Sequence, residues 1–437
     1  MRAGVSALLQ SRLCLDGAPL PRNLMFFVPQ TNLQAKNCRI SIRQEAVTLS
    51  RLPVDFQLHS KFCSQFSLVM DSTMNTDTLF SPFIHPKLEL PNRIVMAPMT
   101  RQFSPGGIPD HNVCDYYRRR AEGEVGLIIT EGTTVPHKAA SSHVQIPRFH
   151  DEALEGWAKV VEVVHAAGGK IAPQLWHVGV IRKPGEGPYP DFQTVSPSGY
   201  LRPEKKVLEP LSTAEIDELI AAYTEAAVNA KALGFDALEL HGAHGYLIDN
   251  FFWEGTNVRN DEYGGSLVRR TRFAVAIIES IRAAIGEDFP IILRFSQWKQ
   301  QDYDARLAQN PEELDQFVSP LSTAGVDLFH CSNRRFWEPE FEGSDLNLAG
   351  WVKKLTGKPT ISVGSVGLTE EFIATYREGT AEVAGIDELI KRMEADEFDL
   401  IAVGRALLAN PDWPKLIRNG ETDKIKTFSK DQLTELV

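Results

Sequence analysis

The stretch "LELHGAHGYLIDNFF", from Leu238 to Phe252, carries the residues best suited to chemistry in this chain. His241 and His244 follow a short apolar run that is typical of a β-strand, and Tyr246 comes two positions later. Imidazole and phenol groups can donate hydrogen bonds to an oxygen atom or transfer a proton. The spacing therefore indicates a functional site at the end of this strand, and three kinds of site fit it.

A metal site is the first alternative, but zinc or iron requires at least a third protein ligand. His177 and His330 are the other histidines at strand ends, and no carboxylate accompanies them in a facial-triad pattern. A pair of structural core histidines is the second alternative. We favour the third, in which His241 and His244 donate to a substrate oxygen and Tyr246 supplies a proton, and we expect no metal. Such a site suits a reaction in which negative charge grows on a carbonyl oxygen and a carbon is then protonated.

The elements that must position these residues are eight short, mostly apolar runs separated by longer amphipathic stretches, as expected of strands covered on both faces. Amphipathic spacing predicts helices over 151–170, 212–236 and 266–286. Eight β-then-α units predict an α/β fold, a closed (β/α)8 TIM barrel forming a single domain. An open doubly wound sheet is disfavoured because strand one ends in "APMTR" rather than in a glycine-rich turn. The predicted strands are 93–99, 125–133, 170–177, 237–244, 290–296, 328–333, 359–365 and 400–406.

Functional residues of TIM barrels lie at the carboxyl ends of the strands. Strands seven and eight end in Gly364 with Ser365 and in Gly404 with Arg405. Glycine amides and an arginine at these two ends predict a phosphate-binding site. The segment 179–210, rich in proline and glycine, is predicted to be a lid or a hairpin-bearing loop over the barrel mouth.

Composition narrows the class of protein further. The 437 residues are 43% hydrophobic and 24% charged, which is typical of a soluble globular protein, and the net charge of -11 disfavours a nucleic-acid surface. No apolar run approaches the ~20 residues of a membrane-spanning helix. Five cysteines without a CxxC pair disfavour a disulfide framework or an iron–sulfur cluster. We therefore expect a cytoplasmic protein without nucleic-acid or membrane partners.

Residues 1–73 differ from the rest, because they contain eight basic and only four acidic residues and show no sustained periodicity. We expect a poorly structured N-terminal extension that arises from a start codon assigned too early, with Met74 opening the functional protein. An organelle transit peptide is the alternative, since such leaders are poor in acids and contain Arg and Ser. The predicted barrel domain is 74–437.

The motifs of the barrel region together resemble those of the Old Yellow Enzyme family, the flavin-dependent ene-reductases that include 12-oxophytodienoate reductases. The resemblance spans about residues 76–420. It is carried by "PNRIVMAPMTR" (91–101), "EGT" (131–133), "PQLWHVG" (173–179), "HGAHGYL" (241–247), "NVRNDEYGGS" (257–266), "LRFS" (293–296) and "DLIAVGRALLANPDWP" (399–414).

This resemblance implies a barrel that binds FMN non-covalently, accepts hydride from NADPH or NADH, and reduces the activated C=C bond of an enone or nitroalkene. It implies that His241 and His244 bind the carbonyl or nitro oxygen and that Tyr246 protonates the α-carbon. A monomer or homodimer is expected. The resemblance implies cofactor contacts at Pro98, Met99, Thr100, Gly132, Gln174, Arg294, Gly364, Ser365, Gly404 and Arg405. The substrate pocket would be shaped by Trp176, Phe336 and Trp337.

Two stretches depart from the family pattern. "SLVRRTRF" has Val268 and Arg269 where the family carries Asn-Arg, and the polar segment 296–317 puts the outer substrate pocket in doubt. Longer relatives with an iron–sulfur cluster and a further dinucleotide-binding domain are disfavoured by the cysteine spacing. A barrel that keeps FMN but has lost catalysis is disfavoured because the two histidines and the tyrosine are all present.

Overall fold

The computed structural model describes residues 75–437, apart from the side chains at 372, 373 and 376. The predicted extension, residues 1–73, lies outside the described residues.

Eight parallel strands, here named β1 to β8, close into a barrel. Each strand pairs with its neighbours in chain order, and β8 pairs with β1. The predicted (β/α)8 barrel is therefore confirmed. The strands are β1 Ile94–Met96, β2 Leu127–Thr134, β3 Ile171–Trp176, β4 Leu238–His244, β5 Ile291–Lys299, β6 Leu328–Ser332, β7 Thr360–Val363 and β8 Leu400–Val403.

Helices cover the outside of the barrel. The longest, Thr213–Ala232, begins at the predicted capping box, in which Ser212 and Glu215 satisfy each other's backbone N–H groups. The helix predicted over 266–286 is divided in two, Leu267–Arg270 and Arg272–Ile285. The main helices are α1 His111–Glu122, α2 Ala153–Ala166, α3 Thr213–Ala232, α4 Arg272–Ile285, α5 Pro311–Ala324, α6 Leu348–Thr356, α7 Asp387–Glu394 and α8 Trp413–Arg418. Shorter helices are Asp77–Phe80, Leu247–Phe252, Phe372–Glu378 and Arg405–Ala409.

The barrel interior is apolar in its lower part. Val95, Leu127, Ile292, Leu328 and Leu400 pack there with a hairpin, Phe83–His85 and Leu88–Leu90, that belongs to the same buried cluster. Because successive side chains of a strand point to opposite faces, the next inward-facing position lies two residues further along each strand. These positions form the next layer of the barrel interior. That layer is polar, and it forms the base of the site described below.

The segment predicted as a lid, 179–210, contains a short hairpin in which Tyr200–Arg202 pairs with Lys205–Lys206. The buried Arg182 ties this segment down by donating to the carbonyl oxygens of Ser141 and Phe192. None of the helices in the part of the chain described by the structure has the length and apolar character needed to cross a membrane.

Candidate active site

A cavity of about 430 Å³ opens at the carboxyl ends of the barrel strands. Its size lies within the range of roughly 300–1,000 Å³ that is usual for small-molecule and cofactor sites. Most of the residues singled out from the sequence line it together. They are Pro98, Met99, Thr100, Gln174, Trp176, His241, His244, Tyr246, Arg294, Gly364, Ser365, Gly404 and Arg405.

The two histidines of β4 meet at right angles, with their ring centroids 5.4 Å apart. The His241 Nδ1 accepts a hydrogen bond from the Ala243 N–H at 3.4 Å, so its proton resides on Nε2. The His244 Nε2 lies 2.8 Å from the Ser332 hydroxyl, and its ring stacks on Trp298. Burial, followed by the nearby Arg294 charge, lowers the pKa of both histidines well below 6.5. Both rings are therefore neutral donors at neutral pH.

The turn after β4 has an unusual backbone. His244 adopts a φ of +63°, a region that residues with a side chain seldom occupy outside functional or strained sites. The next residue, Gly245, has a φ of +79°. This conformation turns the chain so that His241, His244 and Tyr246 all reach the same cavity.

Tyr246 packs against the other aromatic residues of the site. Its ring lies edge-on to Trp176 and to His241, with centroid distances of 4.9 Å in both cases. Its hydroxyl oxygen accepts a hydrogen bond of 2.9 Å from the Gln300 side-chain amide. Burial raises the pKa of Tyr246, although Gln300 and Arg294 act in the opposite direction. The phenol therefore keeps its proton at neutral pH, with its oxygen already engaged by a donor.

A fully buried ion pair supports this turn from behind. The Lys299 ammonium donates to the Asp249 carboxylate at 2.7 Å and to the Ser296 carbonyl oxygen at 2.9 Å. The second Asp249 oxygen accepts from the Gly245 N–H at 2.6 Å. Since Lys299 ends β5, the pair connects the end of that strand to the backbone between His244 and Tyr246.

The floor of the cavity is polar and continues into the barrel. Gln174 on β3 and Glu239 on β4 are register partners, and the Gln174 amide nitrogen donates to one Glu239 oxygen at 2.8 Å. The other Glu239 oxygen accepts from the His330 Nδ1 at 2.6 Å. Arg294 lies between His241 and His330 in the strand register and donates to the Ser332 hydroxyl at 3.3 Å.

The ends of β7 and β8 form the far side of the cavity. Gly364 has a φ of +143°, and a Cβ atom there would come within 2.9 Å of the Arg334 backbone, so the position requires glycine. The Ser365 hydroxyl lies 3.2 Å from the Arg334 and 3.1 Å from the Glu370 carbonyl oxygen and can donate its one hydrogen to either. Arg405 donates to the Glu370 carbonyl oxygen at 2.7 Å, and burial lowers its pKa to about 10, which leaves it charged at neutral pH.

Three residues expected at the site do not line the cavity. Gly132 lies behind Trp176. A Cβ atom at this position would come within 2.7 Å of the indole ring, so a glycine is needed to leave room for that ring. Phe336 and Trp337 pack edge-on against each other and join the hydrophobic core around the barrel. The Asn347 side-chain amide binds the Phe336 carbonyl oxygen at 2.7 Å and fixes the loop in this inward position. The expected pocket-shaping contact of these two aromatic residues is therefore not observed.

Other residues shape the cavity in place of Phe336 and Trp337. Trp298, Gln300 and Tyr303 line the cavity from the end of β5 and the turn after it. The Tyr303 hydroxyl donates to a Glu371 oxygen at 2.7 Å, and the Arg334 guanidinium lies over the Tyr303 ring at 4.1 Å. In the sequence, segment 296–317 departs from the family pattern and contains these aromatic residues in a polar run. This departure was the one indication that the segment borders the cavity.

The hydrogen-bond donors of the cavity fit FMN, both its ring system and its phosphate. The buried Arg294 Nε has no hydrogen-bond partner among the described residues, so a donor remains for a ligand. An amide, a guanidinium and two neutral imidazoles at one end suit an aromatic ring with carbonyl groups. Glycine turns with Ser365 and Arg405 at the other end suit a phosphate. Within 75–437 no group of three or more His, Cys, Asp or Glu side chains is arranged to hold a metal ion.

Known proteins resemble this chain along most of its length. Residues 78–424 match the family described as "NADH:flavin oxidoreductase / NADH oxidase family". The NADH oxidase of Thermoanaerobacter brockii is 37% identical over 360 residues, which cover 80% of this chain and 52% of that protein. The chain thus spans about half the length of that relative. The 12-oxophytodienoate reductase 7 of Oryza sativa subsp. japonica is 33% identical over 361 residues, with 76% of this chain and 86% of that protein covered.

Solved structures give the same result. The old yellow enzyme homologue from Zymomonas mobilis has a TM-score of 0.67 and 26% identity, covering 81% of this chain and 96% of that chain. Morphinone reductase in complex with tetrahydroNAD has a TM-score of 0.67 and 28% identity, with 82% and 97% covered. The chain therefore belongs to the NADH:flavin oxidoreductase / NADH oxidase family, that of the Old Yellow Enzymes, and is an FMN-dependent oxidoreductase that uses NADH or NADPH.

Proposed function

We propose that the protein is an ene-reductase, which uses NAD(P)H to reduce the activated C=C bond of α,β-unsaturated carbonyl or nitro compounds. The observation that carries this proposal is the convergence of His241, His244 and Tyr246 on one cavity. Two relatives are named as reductases, of 12-oxophytodienoate and of morphinone, which supports a reductive function.

The residues that would hold FMN come from opposite sides of the cavity. Pro98, Met99 and Thr100 would bind one edge of the ring system, and Gln174 and Arg294 would bind its polar edge. Gly364, Ser365, Gly404 and Arg405 would hold the phosphate. When bound, FMN supplies the transfer of a hydride from NAD(P)H to the β-carbon of the alkene.

His241 and His244, the oxygen-binding pair, would bind the carbonyl or nitro oxygen of the substrate. Addition of a hydride to an enone leaves negative charge on this oxygen, so donors that bind the enolate more strongly than the ketone lower the barrier. Because burial keeps the pKa of both histidines low, they act as neutral N–H donors without competing for the proton. The same pair would bind the nicotinamide amide in the other half-reaction, which gives ping-pong kinetics.

Tyr246 would protonate the α-carbon. Its raised pKa keeps the phenol protonated, and the Gln300 amide occupies one lone pair of its oxygen. The phenolic hydrogen therefore remains available to the substrate. The Gln300 donor would also stabilise the phenolate that is left after proton transfer.

The decisive experiment measures NADPH oxidation by the FMN-loaded enzyme under anaerobic conditions with and without cyclohexenone. We expect turnover that depends on cyclohexenone and yields cyclohexanone in equal amount to the NADPH consumed. Parallel assays replace cyclohexenone with a nitroalkene, a nitrate ester or air; NADPH oxidation in air, and none with the three organic substrates, would contradict the proposal. That outcome would favour the oxidase reaction for which the Thermoanaerobacter brockii relative is named.

A further inference from the structure

One buried carboxylate beneath the cavity floor has no part in the chemistry proposed above. Glu239 is 0% exposed, and it joins Gln174 at 2.8 Å to His330 at 2.6 Å. Neither Glu239 nor His330 lines the cavity, whereas Gln174 does. A carboxylate in this position acts on a ligand through Gln174 and through its charge.

We propose that Glu239 is a positioning residue that holds the Gln174 amide oxygen toward the cavity and lowers the midpoint potential of bound FMN. The proposal depends on FMN binding by this family member and not on alkene reduction.

The orientation of Gln174 follows from the chemistry of its partner. A carboxylate accepts hydrogen bonds and donates none, so the Gln174 side chain must present its NH2 group to Glu239. Its amide oxygen is then left for the cavity, where it accepts from a ring N–H such as that of the flavin pyrimidine. His330 holds the other carboxylate oxygen. Burial lowers the pKa of His330, so the ring is neutral and its Nδ1–H is the donor.

The charge of Glu239 acts together with that of Arg294. In the strand register Arg294 is the neighbour of His330, the residue that binds Glu239. Burial lowers the pKa of Arg294, and the Glu239 charge raises it, so the carboxylate helps to keep the guanidinium protonated. Reduced flavin carries more negative charge than oxidised flavin. A positive charge at the ring favours reduction, and a buried negative charge one layer below opposes it.

The Glu239→Gln substitution removes the charge and retains the hydrogen bonds. Its amide oxygen can accept from Gln174, and its NH2 group can donate to His330 once that ring adopts its other neutral tautomer. We expect the equilibrium constant for FMN reduction to rise about tenfold, which for a two-electron couple equals about 30 mV in midpoint potential. The FMN affinity should stay near that of the wild type.

Three further variants separate charge from positioning. Glu239→Leu removes the acceptor as well, so it should raise the midpoint and weaken FMN binding by about tenfold or more, since the Gln174 NH2 loses its partner. Glu239→Asp keeps the charge and should keep the wild-type midpoint. His143→Ala, at an exposed residue that does not line the cavity, serves as a control with unchanged midpoint.

Midpoints are measured on the FMN-loaded enzyme by slow reduction against a reference dye, and affinities by the fluorescence of released FMN. A rise in midpoint in the variants that lack the charge, and not in Glu239→Asp or His143→Ala, supports the proposal. Glu239→Gln and Glu239→Leu are each compared with Glu239→Asp, provided that they still bind FMN. A midpoint equal to that of Glu239→Asp in these variants would overturn the proposal. Neither measurement uses an alkene, so a failure of the ene-reductase proposal would leave the result interpretable.

Discussion

Replacement of His241 by alanine tests the oxygen-binding pair most directly. The His241 Nδ1 accepts from the Ala243 N–H, and no described residue accepts a hydrogen bond from its Nε2–H. That hydrogen is therefore available for a substrate oxygen. Removal of one donor to a developing oxyanion costs roughly 100- to 1,000-fold in rate in other enzymes. We expect a loss of this size in the reduction of a weakly activated enone.

The structure predicts a smaller effect for His244→Ala. The His244 Nε2 is already 2.8 Å from the Ser332 hydroxyl, so a substrate oxygen must share or replace that hydrogen bond. The net value of a neutral hydrogen bond that replaces another is about 0.5–1.5 kcal/mol, which corresponds to roughly 2- to 10-fold in rate. The arrangement of the two rings therefore predicts that His241→Ala loses more activity than His244→Ala.

The assay is anaerobic stopped-flow mixing of the reduced enzyme with cyclohexenone, which isolates the second half-reaction. Phenol affinity, measured by equilibrium dialysis, reports on oxygen binding without turnover. His143→Ala is a matched control, because His143 is exposed and does not line the cavity. A His241→Ala enzyme that retains FMN, binds phenol normally and stays within about threefold of the wild-type rate would refute the reasoning.

Three other predictions concern the proton donor, the supporting ion pair and pH. Tyr246→Phe should slow the oxidation of reduced enzyme by cyclohexenone about 100-fold or more while leaving reduction by NADPH near normal; equal losses in both half-reactions would exclude the proton-donor role. Asp249→Asn leaves the Lys299 ammonium buried without its carboxylate, so it should cost about 3–5 kcal/mol in unfolding free energy by urea titration, and Asp249→Leu with Lys299→Met should recover most of this loss. Burial lowers the pKa of His137 to about 4 and that of its hydrogen-bonded neighbour His177 well below 6.5. Between pH 6.5 and about 4 the unfolded chain therefore binds protons that the native protein does not, so stability should fall on acidification, and less steeply in His137→Asn; an unchanged slope would contradict this assignment.

The order of strands could be read from the sequence because strands covered on both faces leave a clear apolar signal. Strand limits were less well defined. The strand predicted over 290–296 extends to Lys299 in β5, although its last residues are polar. Two tertiary contacts stabilise this extension, the stacking of Trp298 on His244 and the ion pair of Lys299 with Asp249. Neither contact leaves a local pattern in the chain, so the polar run gave no indication of a strand.

The site was predictable where it depended on strand ends and less so where it depended on loops. Gln174, His241 and Arg294 reach the cavity because parallel strands bring their carboxyl ends together. An aromatic residue in a loop can turn toward the ligand or toward the core, and its sequence neighbours do not distinguish the two. Phe336 lies in the core, and the side chain of Asn347, the N-cap of helix α6, binds its carbonyl oxygen, a contact between distant positions in the chain.

The layered interior of the barrel suggests how activity and substrate preference are separated in this protein. Burial of charged groups is costly unless each has a partner, so the polar layer depends on the hydrogen bonds that join Glu239 to Gln174 and His330 and Arg294 to Ser332. A substitution in this layer disturbs several partners at once and should affect FMN before it affects the choice of alkene. Trp298, Gln300 and Tyr303 border the same cavity from the end of β5 and the turn after it, and none of these three side chains carries a buried charge. Under the proposed ene-reductase function, the preference for one alkene over another should therefore depend on these three residues, while the polar floor of the barrel holds FMN.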